Sequence, residues 1–320
     1  MREDLLRELE AEYDQIRAEN ERTERARKEK IRTEQPEIHA LVLERENLVF
    51  GTLRAILKGN AETENLPEKM ERLNAEIREK LTAAGFPADY LAPVYRCPAC
   101  QDTGRTGELI KEPCECLKKA YRQKLRSTIG LNGEKTESFE TFDLSLFPDE
   151  PLPGKNYSQR MLMKKRRDDC REWADLYPNV PNRNLLLTGK SGLGKTFLLR
   201  AVAERLIERN VNVLIISAYK LLELVRKAYF SNHEESAGEL AEIDVLMIDD
   251  LGSEPLMQNV TVEQLFNLLN ERMNSGLSTI ISTNLTMEEL QGRYTERIAS
   301  RLRDKNSWKV ITLEGKDIRS

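Results

Sequence analysis

The segment GKSGLGKT, Gly189 to Thr196, constrains the fold of this chain more than any other stretch of its sequence. Gly189, Gly194, Lys195 and Thr196 satisfy the spacing G-x-x-x-x-G-K-[ST], a loop that works only when a strand precedes it and a helix follows it. The apolar run LLLT, ending at Thr188, supplies the strand, and TFLLRAVAERLIE supplies the helix. Between them Lys190, Ser191, Gly192 and Leu193 complete a loop whose backbone N–H groups can turn inward around a phosphate, with the positive end of the helix dipole behind them. Lys195 is expected to bridge the β- and γ-phosphates and Thr196 to offer its hydroxyl to Mg2+, so the expected ligand is Mg-ATP.

The remaining apolar runs fit a sheet built around that loop. VLII ending at Ile216, VLMID ending at Asp249, TIIST ending at Thr283 and VIT ending at Thr312 alternate with helical segments. Such alternation predicts an α/β fold of parallel βαβ units, the sheet covered by helices on both faces. Polar residues follow two of these strands directly. In VLMIDD, Asp249 is placed to hold the Mg2+ water shell and Asp250 to orient or deprotonate the attacking water. In TIISTN, Asn284 can reach the γ-phosphate or its water. ERIASRL sets Arg297 and Arg301 about one helical turn apart; either they act on a neighbouring copy's γ-phosphate or they are surface arginines.

The first third of the chain has a different texture. Residues up to about Thr33 are dense in Glu, Arg and Lys, with Leu5, Leu6, Leu9, Tyr13 and Ile16 at helical spacing before the apolar stripe fades. Pro36 interrupts, and Ile38, Leu41, Val42, Val49, Leu53, Ile56 and Leu57 form a broader face that ends at Gly59. A third segment carries Met70, Leu73, Ile77 and Leu81. These predict a helical bundle or short coiled coil, either self-sufficient or docking a partner. Next comes Cys97-x2-Cys100-x13-Cys114-x-Cys116, four thiolates that can close a tetrahedral Zn2+ site; an iron–sulfur cluster is the alternative. Cys170 reads as a buried thiol, and His39 and His233 lack companions for catalysis. Pro148, Pro151, Pro153 and Gly154 suggest a linker. The division expected is a helical region over 1–90, a four-cysteine zinc-binding module over 91–130, a linker over 131–155 and the ATPase domain over 156–320.

With 32% charged and 6% aromatic residues, and neither a signal-peptide core nor an apolar run long enough to span a bilayer, the chain is expected to be cytoplasmic and free of membranes. A net charge of -4 leaves nucleic-acid binding to local charge. Lys220, Arg226, Lys227, Tyr229 and Phe230 mix positive charge with aromatics, as a single-strand-binding surface would; an ordinary amphipathic helix is the competing reading.

The order of motifs resembles the AAA+ ATPases of the bacterial helicase-loader branch, the DnaI/DnaC-type proteins. CPACQDTG, ESFETFDLSLF, GLGKTFL, LMIDDLGSE, LFNLLNERM, STNL, RYTERIASRL and the terminal GKDIR carry that resemblance. It implies an AAA+ core with Lys195 and Thr196 on phosphate and Mg2+, Asp249 and Asp250 as the Walker B carboxylates, Asn284 as sensor 1 and Arg301 as a finger acting in trans. Other AAA+ branches often place Glu where Asp250 stands, so the shorter side chain implies slow water activation. Only 19 residues follow Arg301, too few for the helical lid that supplies a second sensor arginine in many AAA+ proteins, which leaves the nucleotide's second-side contacts unassigned, with Arg297 as one candidate contributor. The resemblance further implies an ATP-dependent homo-oligomer that loads a replicative ring helicase, gripping it through the N-terminal region and contacting single-stranded DNA through the AAA+ domain. An IstB-like transposition accessory ATPase is the alternative function.

Overall fold

The apolar periodicities of the first third become three helices, α1 (Glu3–Glu34), α2 (Pro36–Leu57) and α3 (Leu66–Ala83). Pro36 occupies the first position of α2, where a missing N–H has no partner to lose, so it starts that helix as well as ending the run before it. In the computed structural model the described residues are 3–57, 66–128, 131, 137–231, 240, 242–255 and 261–319, the side chains of 53, 55–57, 225–231 and 261 excepted. Two compact units emerge, one spanning Arg7–Leu117 and the other Lys118–Ser320 together with Met1–Leu6.

In the smaller unit, Ile31, Ile38, Val42, Ile77 and Leu81 form the core, with Phe86, Tyr90 and Leu91 packed against it. A short antiparallel hairpin, β1 (Arg105–Thr106) and β2 (Glu112–Pro113), lies within the cysteine-bearing stretch, and α4 (Glu115–Thr128) begins after it. The helical and cysteine-bearing residues, expected as separate regions, thus share one compact unit. The face of α1 does not stop where its apolar stripe fades. Tyr13, Arg17, Asn20, Glu24, Arg27 and Ile31 continue it, alternating steps of four and three residues, and all are at least partly buried.

The larger unit is built on five parallel strands among the described residues: β3 (Asn184–Thr188), β4 (Val213–Ser217), β5 (Val245–Leu251), β6 (Ser278–Thr283) and β7 (Trp308–Thr312), in the order β4-β5-β6-β3-β7. Every residue of β3 and β6 is buried, as expected of central strands covered on both faces. Helices α5 (Gln159–Leu176), α6 (Lys195–Glu208), α7 (Ala218–Ser231), α8 (Thr261–Asn274) and α9 (Met287–Arg303) complete the unit. Leu186, Leu246, Ile248 and Ile281 from the sheet meet Leu265, Leu269, Ile298 and Leu302 from α8 and α9 in its main core. Arg272, within the quoted segment LFNLLNERM, is fully buried and donates to the carbonyls of Leu240 and Ser278 and to Thr279 Oγ1. Its role is structural; burial lowers its pKa to about 10.

Strand order positions the chemistry. The loop leaving β3 emerges beside the ends of β6 and, one strand further, β5, because β6 pairs with both. Three sequence-distant motifs therefore share one edge of the sheet, the usual place for a ligand in an open parallel sheet. Residues 137–155, expected as a linker, are packed down: Phe139, Phe142 and Phe147 are buried, and Phe142 stacks on Phe147 at 5.5 Å and meets Phe197 of α6 edge-on at 5.3 Å. Burial of three aromatic rings outweighs the loosening suggested by the prolines that follow. Among the described residues no helix is long and apolar enough to cross a membrane.

Candidate functional site

The loop from Gly189 to Gly194 closes onto the first turn of α6, with Gly194 as its N-cap in the left-handed region at φ 86°. Lys195 is buried, and its ammonium donates to the carbonyls of Gly189 (2.7 Å) and Lys190 (2.8 Å) and to Asn284 Oδ1 (2.5 Å). Burial lowers its pKa, with Asp250 and Asp249 acting in the opposite sense. A buried cation held by carbonyl dipoles, with no carboxylate at ion-pair distance among the described residues, suits an anionic ligand.

Around this cation the expected residues converge. Thr196 Oγ1 donates to both Asp249 oxygens at 3.1 and 3.2 Å. Asn284 Nδ2 donates to Asp250 Oδ1 at 2.7 Å, so Asn284 joins Lys195 to Asp250. The pairing of β5 with β6 shifts register between Ile248 and Leu251, and Asp250 takes φ 59°, left-handed for a residue with a side chain. That bulge turns Asp250 out of the strand's alternation, which lets two successive carboxylates serve one site.

The pocket is lined by Ser191, Gly192, Gly194, Lys195, Thr196, Phe197, Asp249, Asp250, Ser282, Asn284, Ile318 and Arg319. Four of these escaped the sequence reading. Ser282 accepts from the Asp250 N–H at 2.9 Å and donates to Asp249 Oδ1 at 2.5 Å, holding the Asp249 carboxylate and the Asp250 backbone; its signal was its place two residues before Asn284. Phe197 follows Thr196 directly. Ile318 and Arg319 come from the terminal GKDIR, where the Ile318 N–H donates to the Gly192 carbonyl at 3.1 Å and Arg319 Nη2 to Ser191 Oγ at 2.7 Å. Gly192, at φ 72°, has no room for a Cβ, which would fall 1.7 Å from Asp317 Oδ1. Gln159 secures the segment from behind, donating to the Lys316 carbonyl and accepting from its N–H, both at 2.9 Å.

Arg297, a candidate contributor to the nucleotide's second-side contacts, is not among the lining residues. Its guanidinium and that of Arg301 lie 5.6 and 5.7 Å from the ring centre of Phe266, two cations on one aromatic platform. Arg319 is the arginine among the residues that line the pocket. Lys220 pairs with Glu223 at 3.0 Å; the side chains of Arg226, Lys227, Tyr229 and Phe230 lie outside the described residues, as does His233. Cys170 is fully buried, and burial pushes its thiol up to about 12.

Cys97, Cys100, Cys114 and Cys116 place their sulfurs within 4.8 Å of one another, with Cys100–Cys116 at 3.4 Å and Cys97–Cys114 at 3.9 Å. A tetrahedral site with Zn–S bonds of about 2.3 Å has edges of about 3.8 Å, so the four sulfurs fit zinc. Burial pushes the Cys116 thiol up to about 12, whereas the Cys100 backbone N–H draws Cys97 down to about 7. Only a cation among the four would hold all of them as thiolates.

Residues 169–309 match the family model of IstB-like ATP binding proteins. Among curated relatives, the replicative helicase loader DnaI of Bacillus subtilis is 33% identical over 114 residues, 35% of this chain and 37% of that protein. The replicative helicase loader DnaC of Escherichia coli K12 is 29% identical over 133 residues, 40% of this chain and 53% of that protein. The chain thus spans about half or less of the length of these relatives. A crystal structure of DnaI superposes with a TM-score of 0.42 at 27% identity, covering 57% of this chain and 90% of that one. Through residues 169–309 the chain resembles the IstB-like ATP binding proteins and the DnaI/DnaC-type loaders, which supports an ATPase.

Proposed function

We propose that this chain is an ATP-dependent loader of a replicative ring helicase, binding the helicase through its N-terminal helical and cysteine-bearing residues and single-stranded DNA through its AAA+ domain. The observation that carries the reading is the co-occurrence of the closed Lys195–Asn284–Asp250 bonding chain with a four-cysteine unit on one polypeptide. The first is machinery for a nucleotide, and the second is a rigid module with no catalytic group of its own. Similarity to proteins named as replicative helicase loaders supports the partner.

In this reading the loop Gly189–Thr196 and Lys195 hold the ATP phosphates, and Thr196 with Asp249 holds Mg2+. The metal neutralises phosphate charge when bound. Asp250 takes the proton of the attacking water, Asn284 fixes that water against the γ-phosphate, and Arg301 reaches the same phosphate from an adjoining copy in an ATP-dependent homo-oligomer. Cys97, Cys100, Cys114 and Cys116 hold Zn2+, which would give the small unit the stability that a modest core leaves short.

Pull-down of the full chain with a ring helicase tests the proposal: ATP-sensitive binding is expected, and no binding with or without ATP would sink it. The IstB-like family match favours one other reading, a transposition accessory ATPase that recruits a transposase to DNA. Binding to a transposase but not to a ring helicase in the same assay would select it.

A further inference from the structure

The unexplained feature of the smaller unit is the polar continuation of α1. A solvated helix would point its polar residues outward, yet five of them in one stripe, three charged, bond to the stretch that leads into and presents the cysteines. Tyr13 Oη donates to Cys116 Sγ at 3.1 Å. Arg17 Nη1 donates to the Asp102 carbonyl at 3.1 Å, and Asn20 Nδ2 donates to Asp102 Oδ2 at 2.7 Å. Glu24 Oε1 accepts from the Val94 N–H at 2.9 Å, and Arg27 donates to the Tyr90 carbonyl at 3.2 Å while lying over the Tyr90 ring.

Asp102 is the hinge of this arrangement. It is 1% exposed and sits at φ 57°, and its carboxylate accepts the Cys97 N–H at 2.7 Å and the Arg96 N–H at 2.8 Å. Cys97 is therefore aimed by Asp102, and Asp102 is aimed by α1. A thiolate-rich centre with a divalent cation carries net negative charge, and hydrogen-bond donors from outside the ligand set stabilise it and fix ligand orientation.

We propose that Tyr13, Arg17 and Asn20 of α1 are positioning residues of the four-cysteine metal site, so that metal binding and the docking of α1 on the cysteine loop are a single equilibrium. Metal loss then frees the first helix, the part of the chain offered above as a grip on a partner. The proposal rests on the zinc reading: metal binding favours the loop in which Asp102 and Cys116 face α1, and α1 docking in return tightens the metal.

The test uses the full chain and zinc alone. Zinc affinity is measured by competition with a chromogenic chelator for the native chain, Tyr13→Phe and Asn20→Ala, with helix content checked by circular dichroism. Both variants are expected to bind zinc about 10- to 100-fold more weakly, with ATP affinity unchanged. Amide exchange supplies the second measurement: chelation of zinc from the native chain should speed exchange in residues 7–24 and leave β3 and β6 protected. Native-like zinc affinity in both variants, or unchanged exchange in 7–24 on zinc removal, overturns the proposal while leaving the zinc site standing. A native chain that holds no zinc overturns the metal reading and the proposal with it.

Discussion

Lys195 is the side chain on which the nucleotide site closes, since from the far end of the loop it reaches two carbonyls at its start and Asn284. Lys195→Ala removes the only ammonium among the lining residues, and tight ATP binding should disappear in calorimetry; an unchanged affinity would count against the site. Arg319 makes a different kind of contribution. It bonds to Ser191 and pairs with Asp317, but its side chain is 64% exposed, so solvent screens much of its charge. A hydrogen bond from so exposed a guanidinium is weakened by solvent, so its loss is felt less than that of the buried Lys195. Arg319→Ala is therefore expected to weaken ATP about tenfold, read by titration with a fluorescent nucleotide, with Arg319→Lys recovering part of the loss; native affinity in the alanine variant would remove Arg319 from the site. The contrast between these residues shows what sequence makes legible. Lys195, Thr196, Asp249, Asp250 and Asn284 sit at fixed offsets from strand ends, so local pattern locates them. Arg319 reaches the pocket only through the Gln159 clamp and the Gly192 approach, contacts that bridge distant parts of the chain and leave no local period.

At the scale of elements, α9 carries the arginines, and its course depends on a buried polar cluster. Thr295 breaks the helical dihedrals within α9 at φ 77°. Just before that break, Arg293 donates to the Glu254 carbonyl oxygen and lies 3.7 Å from its carboxylate, and Tyr294 donates to Glu254 Oε1, while the Gly252 N–H donates to Oε2 at 2.9 Å. Glu254 is 1% exposed and lies four residues after Asp250, so the segment leaving β5 and the bend in α9 are fixed to one another. Burial and the Glu254 carboxylate push the Tyr294 phenol well above its usual range, which keeps it a neutral donor. Tyr294→Phe takes one donor from a buried carboxylate, and a loss of about 1–3 kcal/mol is expected, seen as a lower urea midpoint with an unchanged slope. A midpoint equal to the native one would show that Arg293 and Gly252 satisfy Glu254 alone. Sequence suggested neither this cluster nor the packing of residues 137–155, for related reasons. Polar residues carry no periodic signature when their partners are remote, and Pro148, Pro151 and Pro153 drew attention away from the phenylalanines just before them. The α1 stripe is an intermediate case: its spacing of four and three is present in the sequence, but Arg17, Asn20, Glu24 and Arg27 are polar and give it no apolar periodicity.

At the scale of the whole molecule, each chain carries the pocket around Lys195 and, on α9, two arginines that are not among the residues lining it. Arg297 and Arg301 are held against Phe266, and neither has a carboxylate at ion-pair distance among the described residues. Aromatic stacking of this kind holds a guanidinium's direction without neutralising it, leaving its charge available to an anion. If that anion is the γ-phosphate of an adjoining copy, two defects on different chains must complement each other. An Arg301→Ala chain keeps Lys195 and binds ATP but cannot act on its neighbour; a Lys195→Ala chain binds no ATP but still presents Arg301. Each alone should hydrolyse ATP at a small fraction of the native rate, since a trans-acting arginine accounts for about 10³–10⁵ in rate where it has been measured. Mixed in equal amounts, they should recover hydrolysis well above the sum of the separate rates, because some junctions then pair an intact site with an intact arginine. The recovered rate should rise with total protein concentration, as a reaction made at a junction between chains must. A mixture no faster than its parts, from variants that still assemble by light scattering, would place the action of Arg301 within its own chain or outside hydrolysis altogether.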